Sequence, residues 1–240
     1  MEAAALQTRE WERIIGRLFP AQVSLAVAAQ EEYLSCPWPG EHAGDVAWPY
    51  RRRRQYAAGR SAARMALTGL GLAAQAIPRM RDGAPSWPPG VTGSITHCDL
   101  LCCSVAAFRK DIAGIGIDAE AFRTISDRLG RSILTGPECD RRGCLSPRLA
   151  SVWPLLAFSA KEAFFKCYYP LSGARLELED IAVEPIEHAT AFAGAAHSSG
   201  AFKIRLLRTD LPLAAEVPRF FGRYLVTNDL VVTGMTARFS

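Results

Sequence analysis

The chain has 240 residues, 49% hydrophobic and 22% charged, ordinary values for a globular protein of one domain or two small ones. Its formal charge of +4 is mildly basic; it favours anionic partners but is too small to single out nucleic acid. No apolar run approaches the roughly 18 residues of a membrane span, and the opening MEAAALQTREWERII lacks a basic segment followed by an apolar one, so a cytoplasmic protein is expected.

The first predicted element is a helix over residues 51–72, RRRRQYAAGRSAARMALTGLGL, rich in Arg, Ala and Leu and ending at Gly69 and Gly71. A Pro/Gly-rich connection, AIPRMRDGAPSWPPG, leads into the β-favouring run VTGSITH. Cys102–Phe108 reads as a second strand, a turn follows at Arg109-Lys110-Asp111, and Ile112–Glu120 reads as a third strand. Residues 121–150 are polar and helical, and FSAKEAFFK (158–166) is helical again. Strand-like runs close the chain at Leu176–Glu184, Ala201–Leu207, Phe220–Thr227 and Leu230–Phe239, the last two joined by an Asn228-Asp229 turn. This order predicts an α+β fold of two pseudo-twofold-related lobes, residues 1–115 and 116–240, each with helices packed on an antiparallel β-meander and the two packed as one unit.

The seven cysteines, Cys36, Cys98, Cys102, Cys103, Cys139, Cys144 and Cys167, include no C-x-x-C pair, so neither a disulfide framework nor a zinc ribbon is indicated. His97-Cys98 with Cys102-Cys103 matches no common zinc spacing.

In GIGIDAE (114–120), strand alternation puts Asp118 and Glu120 on one face. Such a pair suits either a solvated strand end or a cation between the oxygens. Glu162 would supply a third carboxylate to an incomplete Mg²⁺ site that shares substrate oxygens. Ser159 and Glu162 also stand in the S-x-x-E relation of a capping box, so FSAKEAFFK reads equally as a helix start. His97 ends the run GSITH, where it is either a capped surface residue or a donor to a phosphate. Arg53, Arg60 and Arg64 fall within about 20° of one line on a helix, a narrow cationic stripe suited to a compact polyphosphate, with Arg79 and Arg81 in the loop beyond. The run Arg51–Arg54 alone would equally suit nucleic acid.

Four segments resemble motifs of the broad-specificity 4′-phosphopantetheinyl transferases that serve siderophore, polyketide and fatty-acid carrier proteins. PSWPPGVTGSITH is similar to W-P-x-G-x-x-G-S-x-S/T-H, GIGIDAE to G-I/V-D-x-E, and WPLLAFSAKEAFFK to a tryptophan followed by F/S-x-x-K-E-A-x-x-K. RRRRQYAAGRSAARMAL resembles R-x-x-F/Y-x-x-G/V-R-x-x-A-R-x-A-L/I. The residue between the carboxylates is Ala119, which cannot ligate through its side chain, and Thr96 stands where some members have serine.

The resemblance implies transfer of 4′-phosphopantetheine from coenzyme A to a serine of acyl or peptidyl carrier proteins of fatty-acid, polyketide or nonribosomal peptide synthases. It further implies Mg²⁺ or Mn²⁺ on Asp118, Glu120 and Glu162, with Glu162 as base, Lys161 and Lys166 neutralising the diphosphate, and His97 on a phosphate oxygen. Thr96 would line the coenzyme A site, and Arg52, Arg60 and Arg79 or Arg81 would hold the 3′-phosphoadenosine end. Coenzyme A binding would fall to the first lobe and metal binding and catalysis to the second, in a monomer independent of membrane and nucleic acid. A non-catalytic coenzyme A or nucleotide-binding protein would keep the arginines without needing the three carboxylates. A nucleic-acid-binding module would show steeply salt-dependent binding.

Overall fold

The computed structural model describes residues 2–28, 38–41, 48–191, 197–213 and 220–238; Cys36 and Phe239 lie outside this set. The chain forms two compact units, Met1–Ile115 and Gly116–Ser240. The architecture is α+β with two antiparallel sheets.

The first unit holds α1 (Glu2–Gly16), β1 (Ser24–Val27), α2 (Tyr50–Gly69), β2 (Val91–His97) and β3 (Cys102–Phe108), with strand order β1-β3-β2. α2 carries alanines on the face it turns to the sheet, so helix and strands approach closely. Ala63, Ala66 and Leu67 pack with Ala26, Ile77, Val91 and Ala106, while Ala58 and Ala62 pack with Ala28 and Cys102. At Gly59 even a methyl group would come within 2.9 Å of Ile95 Cγ2.

The second unit contains most of β4 (Gly114–Ala121), then α3 (Asp127–Ile133), α4 (Gly136–Arg142), α5 (Pro147–Ser172), β5 (Ile181–Ala191), β6 (Ser198–Leu206), β7 (Phe220–Val226) and β8 (Leu230–Ala237). Strand order is β4-β8-β7-β6-β5, and Thr227 N–H donates to Leu230 O at 2.8 Å across the Asn228-Asp229 turn. α5 lies against this sheet through Phe164, whose ring centroid is 5.2 Å from that of Phe220, and through Ser159, whose Oγ is 2.8 Å from Thr233 Oγ1. Its end is set by Gly173, left-handed at φ 68°, whose N–H donates to Tyr169 O.

Each unit packs helices on an antiparallel sheet as expected, but β1 and β4 each precede the long helix and join the sheet formed by strands after it, a non-local pairing invisible to element order. The four-residue SLAV of β1 is also too short to show a strand period. Residues 121–150 resolve into two short helices and the first turn of α5. FSAKEAFFK is not a helix start, because α5 begins at Pro147 and Ser159 is a fully buried interior residue bonded to β8.

β4 and α5 meet at Gly116, where a Cβ would stand 1.9 Å from the carbonyl oxygen of Ala163. That oxygen belongs to the backbone and cannot move aside without distorting the helix. Gly116→Ala is therefore expected to destabilise the second unit by about 3 kcal/mol, the upper end for overpacking. A urea midpoint unchanged from wild type would show that the strand can slide away at little cost.

Candidate active site

The close approach at Gly116 puts the same face of β4, two and four residues on, beside the exposed flank of α5. Lys166 Nζ donates to Asp118 Oδ1 at 2.7 Å and to Ile117 O at 3.2 Å. Asp118 is 5% exposed; Glu120, at the strand end, is half-buried, with Arg123 Nη2 3.7 Å from its Oε2. Glu162, one helical turn before Lys166, is also half-buried. Burial raises the Glu120 carboxyl above the ordinary range and Asp118 raises it further, against Arg123 and Lys166. Burial likewise raises Glu162, with Lys166 opposing and Asp118 adding. The three carboxylates thus feel one another, with the Lys166 ammonium on Asp118 and the Arg123 guanidinium near Glu120.

Among the described residues, no three His, Cys, Asp or Glu side chains are placed to hold a metal ion as they stand. The donor chemistry nonetheless fits a hard dication, since all three groups offer carboxylate oxygens and mutual repulsion destabilises them unless positive charge is added.

Lys161, expected on the diphosphate, is placed elsewhere. Its side chain is 0% exposed, and its Nζ donates to Glu138 Oε2 at 2.8 Å, Ile133 O at 2.7 Å and Leu178 O at 2.9 Å. All three ammonium hydrogens are thereby used inside the unit. Burial lowers the Lys161 ammonium from its usual value and Glu138 opposes that shift. Glu138 also accepts from Thr135 N–H at 2.7 Å and Val183 N–H at 2.8 Å, so the pair ties α4, α5 and β5 together.

In the first unit Arg52, His97, Arg60 and Arg79 gather around two aromatic rings. Arg52 Nη1 lies 2.7 Å from His97 Nε2. The guanidiniums of Arg52 and Arg79 lie 5.7 Å and 5.9 Å from the centre of the Trp48 ring, and that of Arg60 lies 4.4 Å from the Tyr56 ring. Arg60 is 5% exposed, its Nε is buried with no hydrogen-bond partner, and burial lowers its proton affinity with Tyr56 opposing. Arg79 pairs with Pro85 across a turn closed by Gly83 at φ 97°, and both Arg79 and Arg81, within the turn, are exposed.

The predicted stripe does not survive as a unit. Arg64 is buried in an ion pair with Glu41 at 2.5 Å, and Arg53 is exposed. Thr96 is buried on the face of β2 opposite Ile95 and His97, and Ile95 faces α2, so Thr96 does not join the arginines.

Residues 41–107 match the family model described as the 4′-phosphopantetheinyl transferase N-terminal domain, and residues 114–217 match that of the 4′-phosphopantetheinyl transferase superfamily. The chain is 34% identical to 4′-phosphopantetheinyl transferase Svp of Streptomyces mobaraensis over 86% of this chain and 81% of that protein. The chain belongs to the 4′-phosphopantetheinyl transferase superfamily. Further relatives are 4′-phosphopantetheinyl transferase Npt of Nocardia iowensis, 34% identical over 77% of this chain and 82% of its own, and PptT of Mycobacterium tuberculosis, 29% identical over 92% and 97%. The protein is therefore a transferase that moves phosphopantetheine from coenzyme A to carrier proteins.

Reading the transferase's sequence alone overlooked Trp48, Tyr56 and Glu138. Tyr56 stands four residues before Arg60 within α2, a helical spacing that puts ring and guanidinium together, while Trp48 stands just before the helix and four residues before Arg52. Thr135-x-x-Glu138 carries the same capping pattern that Ser159-x-x-Glu162 only imitates.

The two lysines of the K-E-A-x-x-K segment should separate by readout. Lys161→Met, which strands the Glu138 carboxylate in the interior, is expected to cost about 3–5 kcal/mol of stability. Lys166→Ala, which takes a part-exposed ammonium from the buried Asp118, should cost less stability than Lys161→Met and yet lose transfer. Equal stability losses in the two variants would erase the distinction.

Proposed function

We propose that Asp118, Glu120 and Glu162 hold Mg²⁺ on the diphosphate of coenzyme A, with Mn²⁺ as a substitute, and that Glu162 also serves as base, directly or through a water. The observation that carries this reading is the Lys166 ammonium 2.7 Å from Asp118 within the carboxylate group, because it supplies acid, base and cation on two elements locked together at Gly116. The ion, when bound, supplies positive charge to the phosphate oxygens as their negative charge grows.

The residues of the chain perform the rest. The carrier serine Oγ attacks the β-phosphorus, and the bond from that phosphorus to the bridging oxygen breaks. Adenosine 3′,5′-bisphosphate leaves with the bridging electrons, and the serine proton passes to Glu162. Lys166 neutralises charge on the diphosphate, and His97, oriented by Arg52, donates to a phosphate oxygen. Arg52, Arg60 and Arg79 hold the 3′-phosphoadenosine end; the unpartnered Nε of buried Arg60 supports an anionic ligand there. Lys161 and Thr96 have no place in this assignment.

The substrates proposed are acyl and peptidyl carrier domains, whose acidic helices suit the basic chain, and the enzyme is proposed to act as a cytoplasmic monomer. Among the described residues no helix is long and apolar enough to cross a membrane.

The deciding experiment is intact-mass analysis of an apo carrier protein incubated with enzyme, coenzyme A and Mg²⁺, with an EDTA control. The carrier should gain about 340 Da, one phosphopantetheine, only when metal is present. Asp118→Ala, Glu120→Gln and Glu162→Ala are each expected to lose roughly 10²-fold or more in turnover, the scale on which electrostatic stabilisation of a transition state acts. Undiminished transfer in EDTA or by Glu120→Gln would sink the metal assignment, and no transfer to any carrier would favour a coenzyme A-binding protein.

A further inference from the structure

Trp48 stands just before α2 and is half-buried. Arg52 and Arg79 both lie against its ring, which meets the Tyr56 ring edge-on at 5.1 Å between centroids, and Tyr56 in turn carries Arg60. Three ring–guanidinium contacts and one edge contact between the rings therefore gather three guanidiniums from a helix and a distant loop. Among the described residues, Asp99 pairs with Arg51 and Glu41 with Arg64.

Like charges held this close repel, so a fold that needed only stability would place a carboxylate among them. An aromatic face attracts a guanidinium through its quadrupole without using any of the N–H donors that a carboxylate would occupy. The rings thus hold the cations in place and, apart from contacts such as Arg52 with His97, leave N–H donors for an anion. Trp48 bears most of this arrangement, because its ring links an arginine on α2 to one outside the helix.

We propose that Trp48 is a positioning residue for recognition of the 3′-phosphate, setting Arg52 and Arg79 in the arrangement that phosphate requires. This rests on the assignment of Arg52, Arg60 and Arg79 to the 3′-phosphoadenosine end. Trp48 acts through the arginines, so its loss should be felt by ligands that carry the 3′-phosphate and largely spared by those that lack it. Phenylalanine at the same position would keep a face for both guanidiniums.

The test is calorimetric binding of adenosine 3′,5′-bisphosphate and of adenosine 5′-monophosphate to the full chain, in wild type, Trp48→Leu, Trp48→Phe and Arg60→Ala. The ratio of the two affinities isolates the 3′-phosphate. Trp48→Leu is expected to reduce that ratio about tenfold, two cation–π contacts of modest strength, and Trp48→Phe to restore most of it. If Trp48→Leu keeps the full ratio, or weakens both ligands by the same factor, the positioning role is overturned. If Arg60→Ala keeps the full ratio, the 3′-phosphate assignment itself falls, and the proposal with it. A reduced ratio in Arg60→Ala beside a full ratio in Trp48→Leu overturns only the part given to Trp48.

Discussion

The chemistry of the second unit depends on a missing methyl group. Where residue 116 would carry a Cβ, the carbonyl oxygen of Ala163 stands 1.9 Å away, so strand and helix backbones touch. With any other residue the two elements would stand apart by roughly the width of a side chain. Asp118 and Lys166 are held at 2.7 Å by that contact, and Glu162 follows because it lies only about 40° around α5 from Lys166. Glycine costs conformational entropy in a strand, and here the cost is offset by the geometry it permits.

Charge is handled in opposite ways by the fold and by the site. Glu138–Lys161 and Glu41–Arg64 are buried, paired and further satisfied by backbone groups, as the interior demands of any ion it contains. Asp118, Glu120 and Glu162 have Lys166 and the exposed Arg123 for three carboxylates, while Arg52, Arg60 and Arg79 rest on aromatic rings. Folding leaves each of these two groups with charge in excess, negative in one unit and positive in the other. Such an excess costs stability in the free protein and is relieved by a ligand of opposite sign.

Much of this was legible in the sequence. The arginine- and alanine-rich helix, the runs at Val91–His97 and Cys102–Phe108, and the final hairpin follow from periodicity and turn chemistry, because each is a local property. The face shared by Asp118 and Glu120 follows from strand alternation. Illegible were the features set by pairing distant segments: β1 beside β3, β4 beside β8, and the partners that turn Arg64 and Lys161 inward. Arg64 lies almost in line with Arg53 and Arg60 on a helical wheel, yet it is the neighbour Glu41, from outside the helix, that decides what it does.

Lys161 shows how far a motif can carry an argument about chemistry. On an ideal helix it lies about 140° from Lys166 and about 160° from Ala163, the residue that touches β4, so the two lysines cannot both face the carboxylates of that strand. The segment had this geometry in it from the start, once its helical state was granted. What the wheel could not give was the reason for a lysine on the inward side, which is Glu138 and two carbonyl oxygens waiting there. A buried ammonium with three fixed acceptors tolerates substitution as poorly as the one proposed for the reaction, so the motif alone does not tell them apart. Separating the two roles takes burial and partners, not residue type.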